Sequence, residues 1–253
     1  VHAERMNVDR YLEHVSRDIA DAVPRVAVVG AGLAGSICAC TLKDHGLDVQ
    51  VFDKSRGPGG RMSTRRGEFG SDTLRFDHGA QYFTARDPRF VRPVRSWIAD
   101  GIAARWDGRI AVLKQGGVGV DPIPGERFGG TPGMNEVVRH VQRDLGVRFE
   151  TRIQNAEQTG EGWILTDESG ATHGPFDEVV LAIPADQAKV LLEPLAGRVA
   201  AGLIEAVNGV AIAPGISVLL AFDRSLGLEF DGAFVADSPL SWVARDSSKP
   251  GRA

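Results

Sequence analysis

The chain has only two cysteines, Cys38 and Cys40, in 253 residues. They lie two apart on a segment that reads as helix, so their side chains diverge and cannot pair with each other. That excludes a disulfide framework, and both read as small buried helix residues rather than redox centres or metal ligands. The six histidines (His2, His14, His45, His78, His140 and His173) show no ligand spacing, and no metal is expected. No apolar run approaches the ~20 residues of a membrane helix. Positive charge is not in excess either. The formal net charge is −4, and the 29 basic residues, of which five are lysine, are scattered. Nothing therefore favours nucleic acid or a membrane surface as a partner. Without a secretion signal or paired cysteines, the expected compartment is the cytoplasm.

What is present is an ordinary globular composition, 43% hydrophobic and 25% charged, long enough for one large domain or two intertwined ones. The chain is organised around residues 26–35, VAVVGAGLAG. The apolar run 26–29 suits a buried parallel strand. Gly30, Gly32 and Gly35 follow in the spacing G-x-G-x-x-G, and residues 33–44 read as a helix closed by Gly46. This predicts a dinucleotide pyrophosphate site. Gly30 makes the tight turn, Gly32 admits phosphate to the backbone, and Gly35 lets helix and strand pack closely. The N–H groups at Leu33 and Ala34 lie on the helix N-terminus. Residues 47–52 read as the next strand and end at Asp53, 23 residues after Gly30. That interval suits an acid accepting hydrogen bonds from an adenosine ribose.

The segment 54–66, KSRGPGGRMSTRR, begins with Lys54. Its Gly57, Pro58, Gly59 and Gly60 rule out a regular helix or strand. Such a loop can bring backbone to a second face of a pyrophosphate, where Arg61 adds a charge-assisted hydrogen bond. Taken together, GAGLAG, FDKSRGPGGRMSTRR and FDHGAQYFTARDPRF (residues 76–90) resemble the flavoprotein amine oxidase superfamily. Within it they are most similar to the bacterial renalase-like branch of FAD-dependent oxidoreductases. The runs 129–141, 177–188 and 237–252 continue the resemblance, which covers nearly everything from residue 25 onward. The GGRM element with Met62 points to FAD rather than NAD.

The remaining elements are read from pattern. Residues 8–22 predict an amphipathic helix. Helices are also expected over 90–102, 134–145 and 185–192. Strands are expected over 109–114, 147–153, 215–222, 232–236 and 240–244, with an irregular Gly/Pro-rich stretch at 118–128. Runs at 155–158, 162–166 and 176–183 read as a β-meander whose last strand re-enters the main sheet. The expected fold class is α/β. A FAD-binding Rossmann-like domain, with a glutathione-reductase-type parallel sheet and β-meander, carries an inserted α+β substrate domain. The expected division is an N-terminal helical extension (1–24), a discontinuous FAD-binding domain (25–85 and 129–190) and a substrate domain (86–128 and 191–253). In the family a further C-terminal segment bearing Gly-Asp completes the flavin half of the site. With the sequence ending at Ala253, that half is expected to be incomplete and the substrate domain to lack its C-terminus.

The resemblance implies a FAD-dependent oxidase that passes a substrate hydride to flavin N5, with O2 as acceptor and H2O2 as product. The implied small-molecule substrates are isomeric dihydronicotinamide forms of NAD(P)H. An amine oxidase-type flavoenzyme, an NAD(P)-binding dehydrogenase and a non-catalytic fragment are the alternatives. The implied cofactor contacts are Gly30, Gly32, Leu33, Ala34, Gly35, Asp53, Lys54, Gly59, Gly60, Arg61, Met62, Gly79, Ala80, Gln81, Ile153 and Ala182. Gln81 and Tyr82 are candidates to hydrogen-bond flavin or substrate, and Trp242 and Arg245 to face the substrate. Strand packing competes for Trp242 and a surface ion pair for Arg245. Phe83 reads as core. His78 is set aside, because hydride transfer from a dihydropyridine needs no base.

Overall fold

The computed structural model describes residues 23–70, 72–114, 117–120 and 125–252. The helix expected over 8–22 lies outside the described residues. Strand β1 (Arg25–Val29) is buried from Val26 onward, as a continuous apolar run requires. It pairs in parallel with β2 (Asp48–Phe52) and with β13 (Glu178–Leu181). Strand β9 (Val147–Arg148) adds beyond β2, giving the order β13-β1-β2-β9.

Helix α1 (Leu33–Asp44) covers one face of this sheet. Its buried positions Gly35, Ser36, Ala39 and Leu42 recur at helical spacing. It ends in a Schellman motif. Leu47 N–H donates to the Leu42 carbonyl at 3.1 Å and Gly46 N–H to the Lys43 carbonyl at 2.9 Å, with Gly46 at a φ of 85°. Leu42 and Leu47 share one apolar cluster, which supplies the contact that usually accompanies this cap. Cys38 and Cys40 are half-buried rather than fully enclosed. Burial raises both thiol pKa values, which keeps them protonated and inert.

The meander covers the other face through β10 (Ile153–Thr159), β11 (Gly162–Asp167) and β12 (Thr172–Phe176), paired antiparallel in that order. Phe52, Leu165 and Phe176 are almost fully enclosed there, beside helix α4 (Ala185–Leu192). Burying each contributes ~1.5–3 kcal/mol.

The rest of the chain builds a second layer. Strands β3 (Thr64–Phe69) and β4 (Asp72–Asp77) form a hairpin. Helix α2 (Pro88–Ala99) starts on Asp87, whose carboxylate accepts the Arg89 N–H at 2.9 Å, with Pro88 at the first helical position. Strands β5 (Ala103–Arg105) and β8 (Phe128–Gly130) pair beside α2 and the short helix α3 (Asn135–Val141). Strands β6 (Ile110–Lys114), β7 (Gly117–Val120), β14 (Gly232–Val235) and β15 (Trp242–Ala244) make a second sheet in the order β15-β14-β6-β7. Helix α5 (Ala201–Asn208) packs on α4.

Several expectations change. The stretch 118–128 is not wholly irregular, because both its ends pair as β7 and β8. The single strand expected over 147–153 is two, separated where Thr151 N–H turns to the Asp53 carbonyl at 2.9 Å. The run 176–183 breaks at Asp177, whose N–H donates to the Arg25 carbonyl at 2.9 Å, so Phe176 ends the meander and β13 starts afresh. Residues 215–222 form no strand. Ile216 is 93% and Val218 77% exposed, because no described strand offers this apolar run a ladder. The β3–β4 hairpin and α5 were not anticipated.

The β11–β12 turn carries a polar unit. Asp167 accepts from the Ser169 hydroxyl at 2.6 Å and from His173 Nε2 at 2.8 Å. Arg148 Nη1 lies 3.2 Å from His173 Nδ1 and can only donate, so the imidazole proton sits on Nε2. The Ser169 hydroxyl, and after it His173, hold the Asp167 carboxyl well below the usual aspartate range. A depressed folded-state pKa adds stability that is present above the unfolded value near ~4 and is lost as pH falls below it. Thermal midpoints measured from pH 6 down to 2.5 should therefore fall less steeply for Asp167→Asn than for the wild type. Parallel pH slopes would contradict this.

Candidate functional site

The turn between β1 and α1 is closed by backbone. Gly30 has a φ of 104° and donates to the Phe52 carbonyl at 2.8 Å. A Cβ at Gly35 would fall 1.9 Å from the Gly30 carbonyl oxygen and 2.9 Å from the Ala182 Cβ, so strand and helix meet with no room to spare. The Ala31 peptide is clamped on both sides. Its N–H donates to Asp53 Oδ2 at 2.6 Å. Its carbonyl accepts from Gln142 Nε2 at 2.6 Å and from the Ser36 hydroxyl at 3.2 Å. With that carbonyl occupied, the N–H groups of Gly32, Leu33, Ala34 and Gly35 have no partner among the described residues. No acid stands in the first turn of α1. Four open donors at the positive end of a twelve-residue helix form an anion cradle.

Asp53 sits beside it. Its second oxygen accepts from the Ser55 N–H at 2.8 Å and the Ser55 hydroxyl at 2.5 Å. The Asp53 carbonyl accepts from Thr151 N–H, which brings the segment leading to Ile153 alongside. The Ile153 side chain itself is in the core. Lys54 is exposed.

Two further backbone contacts carry the site away from this turn. Gly60, at a φ of 54°, packs so close that a Cβ would lie 3.1 Å from the Gly32 Cα. Gly59 is buried, Arg61 exposed, and Met62 packs on the cluster of Val94, Trp97 and Phe128. The Arg61 carbonyl then accepts the Ala80 N–H at 2.8 Å, and a Cβ on Gly79 would fall 2.2 Å from that oxygen. The segments containing Gly32, Gly60 and Gly79 thus lie against one another in sequence.

Beyond Gly79 opens a cleft of about 2030 Å³. Gln81, Tyr82, Trp242 and Arg245 all line it. The Tyr82 ring centroid is 5.6 Å from Trp242 and 6.2 Å from Trp106, with the Arg127 guanidinium 5.1 Å away on its face. Trp242 packs edge-on to Phe234 at 4.8 Å, and its buried Nε1 has no partner among the described residues. Arg245 is ion-paired with Asp231. Phe83 stacks on Phe128 in the core, as expected. His78 is exposed, and its carbonyl accepts from the Ser217 hydroxyl at 2.7 Å.

At the cleft floor lies a charged cluster that sequence reading missed. Asp77 Oδ1 accepts from the Thr64 hydroxyl at 2.7 Å and from Met134 N–H at 3.1 Å. Its Oδ2 accepts from Lys249 at 3.2 Å and from Arg252 at 2.6 Å. Asp246 pairs with the same two cations at 2.7 and 3.1 Å. The side chains of Asp77, Lys249 and Arg252 are between 0 and 3% exposed. Gln142 and Ser36 were missed too. Asp77, Asp246, Lys249 and Arg252 fall inside runs that carry the family resemblance, but nothing local shows that the 246–252 segment meets Asp77 or that Gln142 meets Ala31, because those partners lie more than a hundred residues away. Among the described residues no His, Cys, Asp and Glu group could hold a metal, and no helix is long and apolar enough to cross a membrane.

A parallel sheet with an anion cradle, an acid just past the end of β2 and an aromatic cleft defines a dinucleotide-dependent oxidoreductase class. The family model for the NAD(P)-binding Rossmann-like domain matches residues 28–96, and that for flavin containing amine oxidoreductase matches residues 107–251. The chain belongs to the flavin containing amine oxidoreductase family, as a renalase-like, FAD-dependent member. It is 24% identical to mouse (Mus musculus) renalase over 234 residues, which cover 89% of this chain and 67% of that protein. It is 57% identical to the zeta-carotene-forming phytoene desaturase of Myxococcus xanthus, but over 39 residues, 15% of this chain and 8% of that one. The fold matches the crystal structure of an Exiguobacterium sp. 255-15 protein assigned as a protoporphyrinogen oxidase. The TM-score is 0.61 at 12% identity, covering 88% of this chain and 73% of that one.

The residues present fit FAD. The cradle offers four N–H donors, and Asp53 keeps acceptor capacity. Two substitutions check the geometry. Gly79→Ala forces a side chain onto the Arg61 carbonyl and should cost ~1–3 kcal/mol of stability, read as a lower urea midpoint. Gln142→Leu leaves the Ala31 carbonyl with the Ser36 hydroxyl alone and should weaken FAD binding about tenfold, the equivalent of ~1.4 kcal/mol, in a fluorescence titration. Unchanged affinity would show that the clamp is dispensable.

Proposed function

We propose that this chain is a FAD-dependent oxidoreductase that oxidises a small flat substrate by hydride removal, probed best with isomeric dihydronicotinamide forms of NAD(P)H, with O2 as terminal acceptor. The observation that carries the reading is the unbroken backbone path from the open N–H groups at Gly32 through Gly60 and Gly79 to the aromatic cleft at Tyr82. It runs from a place suited to phosphate to one suited to a ring. On this reading residues 25–85 and 129–190 hold the cofactor, and 86–128 with 191–253 shape the substrate side.

When bound, FAD supplies the two-electron acceptor at its N5. The first turn of α1 and Asp53 would hold its pyrophosphate and ribose, and backbone at Gly79 and Ala80 would border its ring. The chain's own part in the chemistry is positional. Tyr82 and Trp242, with Trp106 packed behind Tyr82, give a stiff aromatic wall that orients a flat substrate and excludes water. No general base is required, because a dihydropyridine that loses hydride becomes an aromatic pyridinium without giving up a proton. Net, the dihydropyridine, O2 and one solvent proton would give the pyridinium and H2O2, the second hydrogen of the peroxide being the one removed as hydride.

The purified protein should be yellow, release FAD on denaturation, and form one peroxide per dihydronicotinamide isomer consumed. Asp53→Ala should weaken FAD binding by about tenfold or more, as expected for a lost charge-assisted hydrogen bond of ~1.5–3 kcal/mol. Peroxide from amines instead would move the substrate class to the amine oxidases. Binding of NAD(P) with no flavin uptake would overturn the cofactor assignment.

A further inference from the structure

We infer that Lys249 is a positioning residue that sets the orientation of the Gln81 amide, so that the cleft meets a hydrogen-bond donor at this point and selects an acceptor edge of the flavin ring. This rests on the FAD reading above.

An ammonium carries three N–H donors and no acceptor. Lys249 Nζ has three acceptors within reach: Asp246 Oδ1 at 2.7 Å, Gln81 Oε1 at 3.0 Å and Asp77 Oδ2 at 3.2 Å. All its donors are thereby matched, and the Gln81 oxygen is the one uncharged acceptor among them. The side chain is 2% exposed, so water cannot replace that oxygen without cost. At its other end the Gln81 amide nitrogen donates to the Asp77 carbonyl. A flipped amide would set an N–H against the ammonium and an oxygen against a carbonyl, losing both bonds. The orientation is therefore dictated by the buried cation. One amide proton of Gln81 is left without a partner among the described residues, on a side chain that lines the cleft.

Arg252 has a separate task. It bridges the two carboxylates, at 2.6 Å to Asp77 and 3.1 Å to Asp246, so two acids and two bases balance. Its planar fork could not send three divergent donors to the acceptors that Lys249 reaches. Lys249→Arg should therefore keep the charge but release Gln81.

The test compares wild type, Lys249→Arg, Gln81→Leu, Gln81→Glu and the Lys249→Arg/Gln81→Leu double variant. On flavin-free, ¹⁵N-labelled protein, the Gln81 side-chain amide should give a resolved, slowly exchanging proton pair that Lys249→Arg broadens or merges. On flavin-loaded protein, Lys249→Arg and Gln81→Leu should each weaken FAD binding about tenfold and shift the visible absorption of bound flavin alike. The double variant should add nothing further. Gln81→Glu keeps an acceptor for Lys249 but has no N–H to donate, so it should lose the same flavin signature, and its third carboxylate in the cluster should also lower the thermal midpoint.

An unchanged Gln81 amide signal in Lys249→Arg, additive effects in the double variant, or a wild-type flavin spectrum in Gln81→Glu would each overturn the inference. Should Lys249→Arg fail to fold, the Gln81→Glu spectrum decides. If wild type takes up no flavin, the functional reading fails, while the amide signals still decide whether Lys249 orients Gln81.

Discussion

The carboxylate of Asp77 is the point on which the site depends. Its two oxygens accept from four groups in three parts of the chain: the β3 hydroxyl of Thr64, the backbone N–H of Met134 ahead of α3, and the cations Lys249 and Arg252 of one C-terminal segment. A charge this deeply buried persists only when paired and fully hydrogen-bonded. Asp77 meets both conditions, and in doing so ties the hairpin, the start of α3 and the 246–252 segment together next to Gln81. Removing one partner of such a cluster leaves an uncompensated buried charge, which typically costs ~3–5 kcal/mol. The cluster is better evidence of a required geometry than of extra stability, since apolar side chains of the same volume would pack at least as well.

A second constraint acts through backbone alone. Along the path from cradle to cleft, successive segments touch where a side chain would not fit: Gly35 against Gly30, Gly60 against Gly32, Gly79 against Arg61. The Ala31 peptide is then held by three side chains, Asp53, Ser36 and Gln142. The result is a set of N–H groups left deliberately open in an otherwise satisfied structure. Because Gln142 lies just beyond α3, that helix also helps to shape the phosphate end of the site.

The β1–α1–β2 unit could be read directly from sequence. Its signals are local: an apolar run, glycines at fixed spacing, an acid at the strand tip and a Schellman glycine at Gly46. Helices α1 and α4 were legible to the residue for the same reason. The stretch 215–222 misled, because its apolar alternation is a strand signal whose outcome depends on a partner ladder. The meander was visible as a pattern, but its break at Asp177 depends on a bond to Arg25 from the other end of the domain.

The sequence by itself determined the dinucleotide turn, the acid at its edge and the identity of the cleft-facing segment, because each is encoded over a few neighbouring residues by chain geometry. Only the tertiary structure decided that Lys249 and Arg252 converge on Asp77, and that Gln142 clamps Ala31. These are pairings across more than a hundred residues, or in the case of Asp77 and Lys249 across 172. Nothing in local propensity selects such partners. They follow from the requirement that a buried charge or carbonyl find its opposite once the layers have packed.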